Sequence, residues 1–346
     1  MKIIFVTPRG RHPTSLPFLD RMMRGLENLG HEVDEFMLSK TIRPIPFIRQ
    51  FLALRKMLHA PGVELVNAQF GTFCGFMTAL CCPLRVPLVV TFHGSDLNPT
   101  PSEHPLIWTL QHLLSQFAAY WSDGIICVSR QLASRVWWKK RILQVLPAPI
   151  DLAIFQPSNY EAARQKLGWG PAERVCLFIA GSNHTVKRLD IALAVKQALQ
   201  QNNSSIRLET IQTFISSEDL AVLLNAADLL LFVSDFEGSP NLIREACACN
   251  LPILTFVVGD VVEVTSGIDG VYFAERDLSQ LPTKVELLTK QGKRSHGRES
   301  MNEYSVEALS RKTGAFYHQV LAAYRRKLER PGPLRMISRS HGKNSI

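Results

Sequence analysis

Short, almost unbroken apolar runs alternate along the chain with longer stretches in which apolar residues recur every three or four positions. Residues 2–7 read as a buried strand, 18–29 carry helical spacing, and Gly30 stops that helix before Val33 enters the next strand. Further strands are expected at 63–67, 87–92, 124–128 and 142–146. Few of these runs show the polar alternation of a half-exposed strand, so they fit a parallel sheet covered on both faces. The alternation predicts an α/β protein of doubly wound type.

The pattern breaks at residues 146–151, where Pro147 and Pro149 are followed by Pro157, and it restarts at 175–180. Strands at 206–211, 228–233, 252–256 and 270–273 then repeat the architecture of the first half. The expected organisation is a Rossmann-like domain over 1–150, a second over 151–302, a terminal helix over 303–328 packing back toward the first domain, and a tail over 329–346. Two such domains facing each other leave a cleft outside the carboxyl ends of their strands, where open α/β sheets bind ligands.

Composition narrows the picture. At 346 residues and 46% hydrophobic content the chain can bury a core in each of two domains. No apolar run reaches the length of a membrane span, and the charged start runs straight into a strand rather than a signal peptide, so a cytoplasmic protein is expected. The seven cysteines sit mostly in apolar segments without metal-ligand spacing, which reads as reduced core thiols. Net charge is +9, but residues 325–346 hold seven Lys and Arg against Glu329, a net +6. The body is therefore nearly neutral, which argues against nucleic acid as a partner. The tail, with Pro331, Gly332, Pro333 and Gly342, reads as solvated and unstructured.

Candidate chemistry concentrates in residues 237–245. An apolar strand leads into Glu237-Gly238-Ser239-Pro240-Asn241, Pro240 is suited to the first position of a helix, and Glu245 falls about one and a half turns in. Free N–H groups and the positive end of the helix dipole at that turn favour a phosphate or a polar sugar.

The stretch resembles the E-x7-E signature of the retaining glycosyltransferases of family four. Residues 1–6, Gly30-His31-Glu32-Val33, the H-G-x-D turn His93-Gly94-Ser95-Asp96 and the strand at 122–129 are similar to other landmarks of that family. The resemblance implies the two-Rossmann fold called GT-B, transfer of a sugar from a nucleotide diphosphate donor with retention, and a setting in envelope or exopolysaccharide synthesis. It implies that His93 contacts the donor sugar, that Glu237 binds sugar hydroxyls, and that Lys187 faces the diphosphate. It implies that Glu245 accepts from the ribose hydroxyls, with Gly238, Ser239, Pro240 and Asn241 completing the donor pocket. Asp96 is expected to orient His93 or the acceptor.

Two positions depart from the family pattern. Ser182 stands where an arginine usually precedes the lysine by five residues, and Arg188 is the candidate substitute. Near the N terminus only Gly10 remains of the usual glycine pair that lets backbone approach the phosphates. No Asp-x-Asp triplet follows a strand, so metal dependence is not expected and no cofactor is required. Acceptor recognition is expected on the N-terminal half, with a saccharide or a lipid-linked saccharide as acceptor. There five basic residues are interleaved with apolar ones between 36 and 63, and Trp137 and Trp138 sit among further basic residues. Such surfaces suit peripheral contact with an anionic membrane, although a core-packed helix with a basic outer face reads the same way. The rival readings are a sugar-nucleotide epimerase of the same fold and an inactive nucleotide-sugar-binding protein.

Overall fold

The computed structural model describes residues 1–9, 16–41, 43–98, 104–138, 142–181 and 183–329. Gly10, Ser182 and the tail beyond Glu329 lie outside them.

The first sheet contains β1 (Lys2–Pro8), β2 (Glu32–Leu38), β3 (Leu65–Gln69), β4 (Leu88–Phe92), β5 (Gly124–Cys127) and β6 (Ile142–Val145), in the order β2-β1-β3-β4-β5-β6. The second contains β7 (Arg174–Ile179), β8 (Ile206–Ile211), β9 (Leu229–Phe232), β10 (Ile253–Thr255) and β11 (Val271–Phe273), in the order β11-β10-β9-β7-β8. Every pairing is parallel. Central strands β3, β4 and β9 are buried along their whole length, while the edge strand β2 alternates in exposure. This is the burial that unbroken and alternating apolar patterns dictate.

One face of the first sheet packs its own core around Val66, Val90 and Ile125. The other face is covered by the first helix, Pro17–Glu27, and by the helix Val306–Glu329, which returns from the second domain with Leu309, Phe316, Tyr317 and Val320. Each of these buried side chains stabilises the packing by about 1.5–3 kcal/mol relative to exposure. Close approach depends on glycine: a Cβ on Gly124 would lie 2.6 Å from Val320, and one on Gly25 2.0 Å from Ser310.

The chain crosses between domains twice, and the crossings lie side by side. The Ile150 N–H donates to the Tyr304 carbonyl (3.0 Å) and the Val306 N–H to the Ile150 carbonyl (3.2 Å), forming a parallel bridge with Ser305. The proline-rich segment at 146–151 thus forms half of a paired connector.

Candidate active site

The carboxyl ends of β3 and β4 form one wall of the interdomain cleft. β4 ends at Phe92, and the turn that follows is held by the Asp96 carboxylate, which accepts from the N–H groups of Gly94 (2.8 Å), His93 (3.1 Å) and Gly71 (3.1 Å). Burial pushes the Asp96 carboxyl above its ordinary range, and these three donors oppose that shift. Of the two roles expected for Asp96 the geometry fits orientation: at 1% exposure it organises backbone and has no surface to offer an acceptor.

His93 keeps an edge on the cleft, with its ring against Phe70 (centroids 4.4 Å) and Phe18 (5.0 Å). Nε2 lies 2.8 Å from Gln69 Oε1. Desolvation pulls the imidazole pKa down to about 3. His93 is therefore neutral near pH 7 and can contribute a hydrogen bond but no positive charge. Phe70 adopts φ 68°, a left-handed conformation unusual for an aromatic residue, and its carbonyl accepts from Gly75 N–H (2.9 Å) in the tight turn that follows. Strain of this kind costs about 1–3 kcal/mol and clusters at functional sites. Here it sets an aromatic ring against the histidine.

The opposite wall is charged. After β7 the chain turns at Gly181 (φ 55°), and Asn183 caps the short helix His184–Lys187. Lys187 Nζ reaches Glu237 Oε1 at 2.5 Å and stands 4.9 Å from the Phe232 ring centre. Both ends of this pair are partly exposed, and Glu237 lines the cleft. The turn 238–241 then opens the helix Asn241–Ala248, with Pro240 as the residue before the helix rather than its first residue, one position from expectation.

A buried network fixes that turn. Arg244, fully buried, donates to Ser239 Oγ (2.5 Å) and Asn241 Oδ1 (2.6 Å), and Ser239 Oγ donates to Asp260 Oδ2 (2.5 Å). Desolvation lowers the Arg244 pKa and raises that of Asp260. Gly238 meets the first wall directly: a Cβ there would lie 2.1 Å from the His93 carbonyl oxygen, so no other residue fits without moving the domains apart. Asn98 adds a cross-domain contact from its Nδ2 to the Glu237 carbonyl (3.5 Å).

Between the walls lies a cavity of about 420 Å³, lined by Phe18, Phe70, His93 and Asn98 on one side and Asn183, Glu237, Ser239 and Asn241 on the other. That volume is in the range of small-molecule sites. The structure thus brings His93, Gly94, Glu237, Gly238, Ser239 and Asn241 together, with Lys187 bonded to Glu237. Glu245 lies deeper, 6% exposed, and its Oε1 accepts from Arg21 Nη1 (3.0 Å) of the first domain. Arg188 departs from its expected role. It takes a left-handed conformation (φ 60°) between two helices, and its guanidinium bonds Asp190 (2.8 Å) and Asp235 (3.1 Å). It holds the loop from below and does not substitute at the cavity for a missing arginine. Arg21, Gln69, Phe70, Asn98, Arg244 and Asp260 were not singled out by sequence. Arg21 carries one signal, a charge at helical spacing with Gly25 on the buried face of its helix.

The profile of Glycosyltransferase Family 4 matches residues 3–154, and that of Glycosyl transferases group 1 matches residues 161–291. N-acetyl-alpha-D-glucosaminyl L-malate synthase of Bacillus anthracis is 22% identical over 280 residues, 72% of each chain. D-inositol 3-phosphate glycosyltransferase of Mycobacterium marinum is 25% identical over 212 residues, which are 54% of this chain and 45% of that protein, so the chain spans about half the length of that relative. The crystal structure of Anabaena Alr3699/HepE in complex with UDP-glucose superposes with a TM-score of 0.70 at 16% identity, covering 92% of this chain and 100% of that one. With two parallel α/β domains, a cleft at their strand ends and profile matches over both halves, the chain belongs to glycosyltransferase family 4 and has the GT-B fold.

Proposed function

We propose that this protein is a retaining glycosyltransferase that takes a sugar from a nucleoside diphosphate donor and passes it to a saccharide or lipid-linked saccharide, without a metal, in envelope or exopolysaccharide synthesis. The observation that carries the proposal is Glu237, bonded to Lys187, facing His93 across one cavity. The named relatives include glycosyltransferases, and the Anabaena structure holds UDP-glucose in the same fold.

In this reading the diphosphate lies against Lys187 and the first turn of the Asn241–Ala248 helix, whose free N–H groups and dipole favour negative charge. Lys187 has three donors, so it can keep Glu237 and still bond a phosphate oxygen. The sugar sits between Glu237 and the His93 imidazole, which bonds one of its hydroxyls. As the bond from the anomeric carbon to the diphosphate oxygen breaks, negative charge grows on the leaving group, and Lys187 and the helix N-terminus stabilise it there. The acceptor oxygen bonds the anomeric carbon on the same face, and its proton passes to the departing phosphate oxygen. Glu237 shields the oxocarbenium-like centre.

Acceptor binding falls to the other wall, where Phe18 and Phe70 offer aromatic faces and the buried Asn98 Oδ1 has no partner among the described residues. A lipid-linked acceptor is supported by the helix Pro44–Leu58, which exposes Ile45, Ile48 and Leu52 beside Arg49, Arg55 and Lys56. No helix among the described residues is long and apolar enough to cross a membrane, so contact there would be peripheral.

Ser182 in place of the family's arginine favours one second reading, a protein that binds nucleotide sugars without turning them over. Incubation with UDP-, GDP- and ADP-sugars separates the readings. Release of nucleoside diphosphate supports the transferase, altered sugar without release identifies an epimerase, and binding alone identifies the inactive protein.

A further inference from the structure

Arg21 belongs to the first helix of the N-terminal domain, yet its recorded polar and ring contacts lie on the other side of the cleft. Nη1 donates to Glu245 Oε1 (3.0 Å), Nη2 donates to Ser217 Oγ (2.8 Å), and the guanidinium carbon stands 5.2 Å from the Phe155 ring centre. The side chains of Arg21 and Glu245 are 3% and 8% exposed. A desolvated ion pair contributes little net stability, and removing one partner leaves a buried charge uncompensated. Within the domain, the helix has no need of an arginine here: its apolar contacts come from Leu19, Met22 and Leu26, with Gly25 against Ser310. The charge on this face acts across the cleft.

Resting on the donor-site reading of Glu245, we propose that Arg21 is a positioning residue that couples donor binding to domain closure. Its bond takes one oxygen of the Glu245 carboxylate and leaves the second as an acceptor for a nucleotide ribose. The carboxylate is fixed against the first domain while it serves a ligand held by the second. When the domains separate, Arg21 withdraws and Glu245 loses its orientation, so the nucleotide is held well only in the closed arrangement. Ser217 shares the guanidinium, which sets the approach of the first helix to the helix Ser217–Ala226. Gly238 against the His93 carbonyl marks the same closed arrangement at the cavity itself.

The test is a double-mutant cycle on the full chain with Arg21→Met, Glu245→Gln and the pair, with UDP, GDP and ADP titrated calorimetrically and KM and kcat taken with the sugar nucleotide that is turned over. Methionine keeps the length and the apolar contact with Phe155 while removing the charge. The expected result is nucleotide affinity lower by about tenfold or more in Arg21→Met, as for loss of a charge-assisted contact. KM should rise in parallel with kcat changed less than about threefold, and the double variant should bind no more weakly than Glu245→Gln alone. Arg21→Lys, which keeps a charge, should recover most of the affinity, and it decides the matter if Arg21→Met does not fold. Additive losses in the cycle, or wild-type affinity in Arg21→Met, overturn the inference. If wild type binds no nucleotide at all, the donor-site reading fails with it; binding that depends on Glu245 but not on Arg21 removes this inference alone.

Discussion

On the N-terminal wall of the cleft the groups facing the cavity are aromatic rings, a neutral imidazole and the Asn98 amide, and the rings are positioned by backbone: Asp96 gathers three N–H groups, and Phe70 takes a left-handed conformation beside His93. On the C-terminal wall the groups are charged, and they are positioned by one another, Lys187 by Glu237 and Ser239 by Arg244 and Asp260. The two designs suit different jobs. A charged wall with fixed partners stabilises charge that grows during reaction, because little reorganisation is needed at that moment. On the proposed function, an apolar wall with few hydrogen-bonding atoms would orient a sugar face and keep water away from it.

That contrast can be broken most severely at Lys187. Lys187→Met takes away the cation bonded to Glu237, and if that cation stabilises the leaving group as proposed, kcat should fall about 10²–10³-fold, the loss typical for one transition-state donor. Steady-state nucleotide release checks it, and a loss under threefold would place charge stabilisation elsewhere. On the opposite wall, Asp96→Ala leaves buried N–H groups of Gly71, His93 and Gly94 without their acceptor. The expected cost is about 3 kcal/mol of stability by urea unfolding, larger than its effect on nucleotide affinity.

A pH series sharpens the neutral side of the comparison. The folded His93 pKa, about 3, lies below its ordinary value of 6.5. Between those values the unfolded chain takes up a proton that the folded one refuses, so the stability due to neutral His93 is fully present above about 6.5 and is lost as pH falls toward 3. The slope is up to about 1.4 kcal/mol per pH unit. His93→Gln should flatten that part of the curve in unfolding midpoints measured against pH, and an unchanged curve would show that the imidazole is hydrated and charged. The smallest effect is expected at Arg188, whose bonds to Asp190 and Asp235 are partly exposed. Arg188→Ala should cost under about 1 kcal/mol and change KM less than about twofold.

The charged wall was the more legible in sequence, for a physical reason. Glu237 and Glu245 are fixed by a linear spacing on one turn and helix, and β1, β3, β4 and β9 are fixed by apolar runs that only buried strands explain. What sequence did not reveal depends on contacts between distant segments: Arg21 meets Glu245 across 224 positions, and Gln69 meets His93 across 24. Pro240 fell one residue outside the helix because its ring fits both the position before a helix and the first position in it. The direction of Arg188 depends on a left-handed backbone that separates two helices and turns the side chain onto Asp235, and spacing along the chain does not encode it.

The measurement that bears most directly on the charged wall is calorimetric titration of nucleoside diphosphates and the matching monophosphates into wild type and Lys187→Met. The account predicts that one of UDP, GDP or ADP binds wild type, that the substitution weakens the diphosphate about tenfold or more, and that it weakens the monophosphate less, since the proposed function sets Lys187 against the diphosphate. No binding to wild type, or equal affinities in the two proteins, would contradict it.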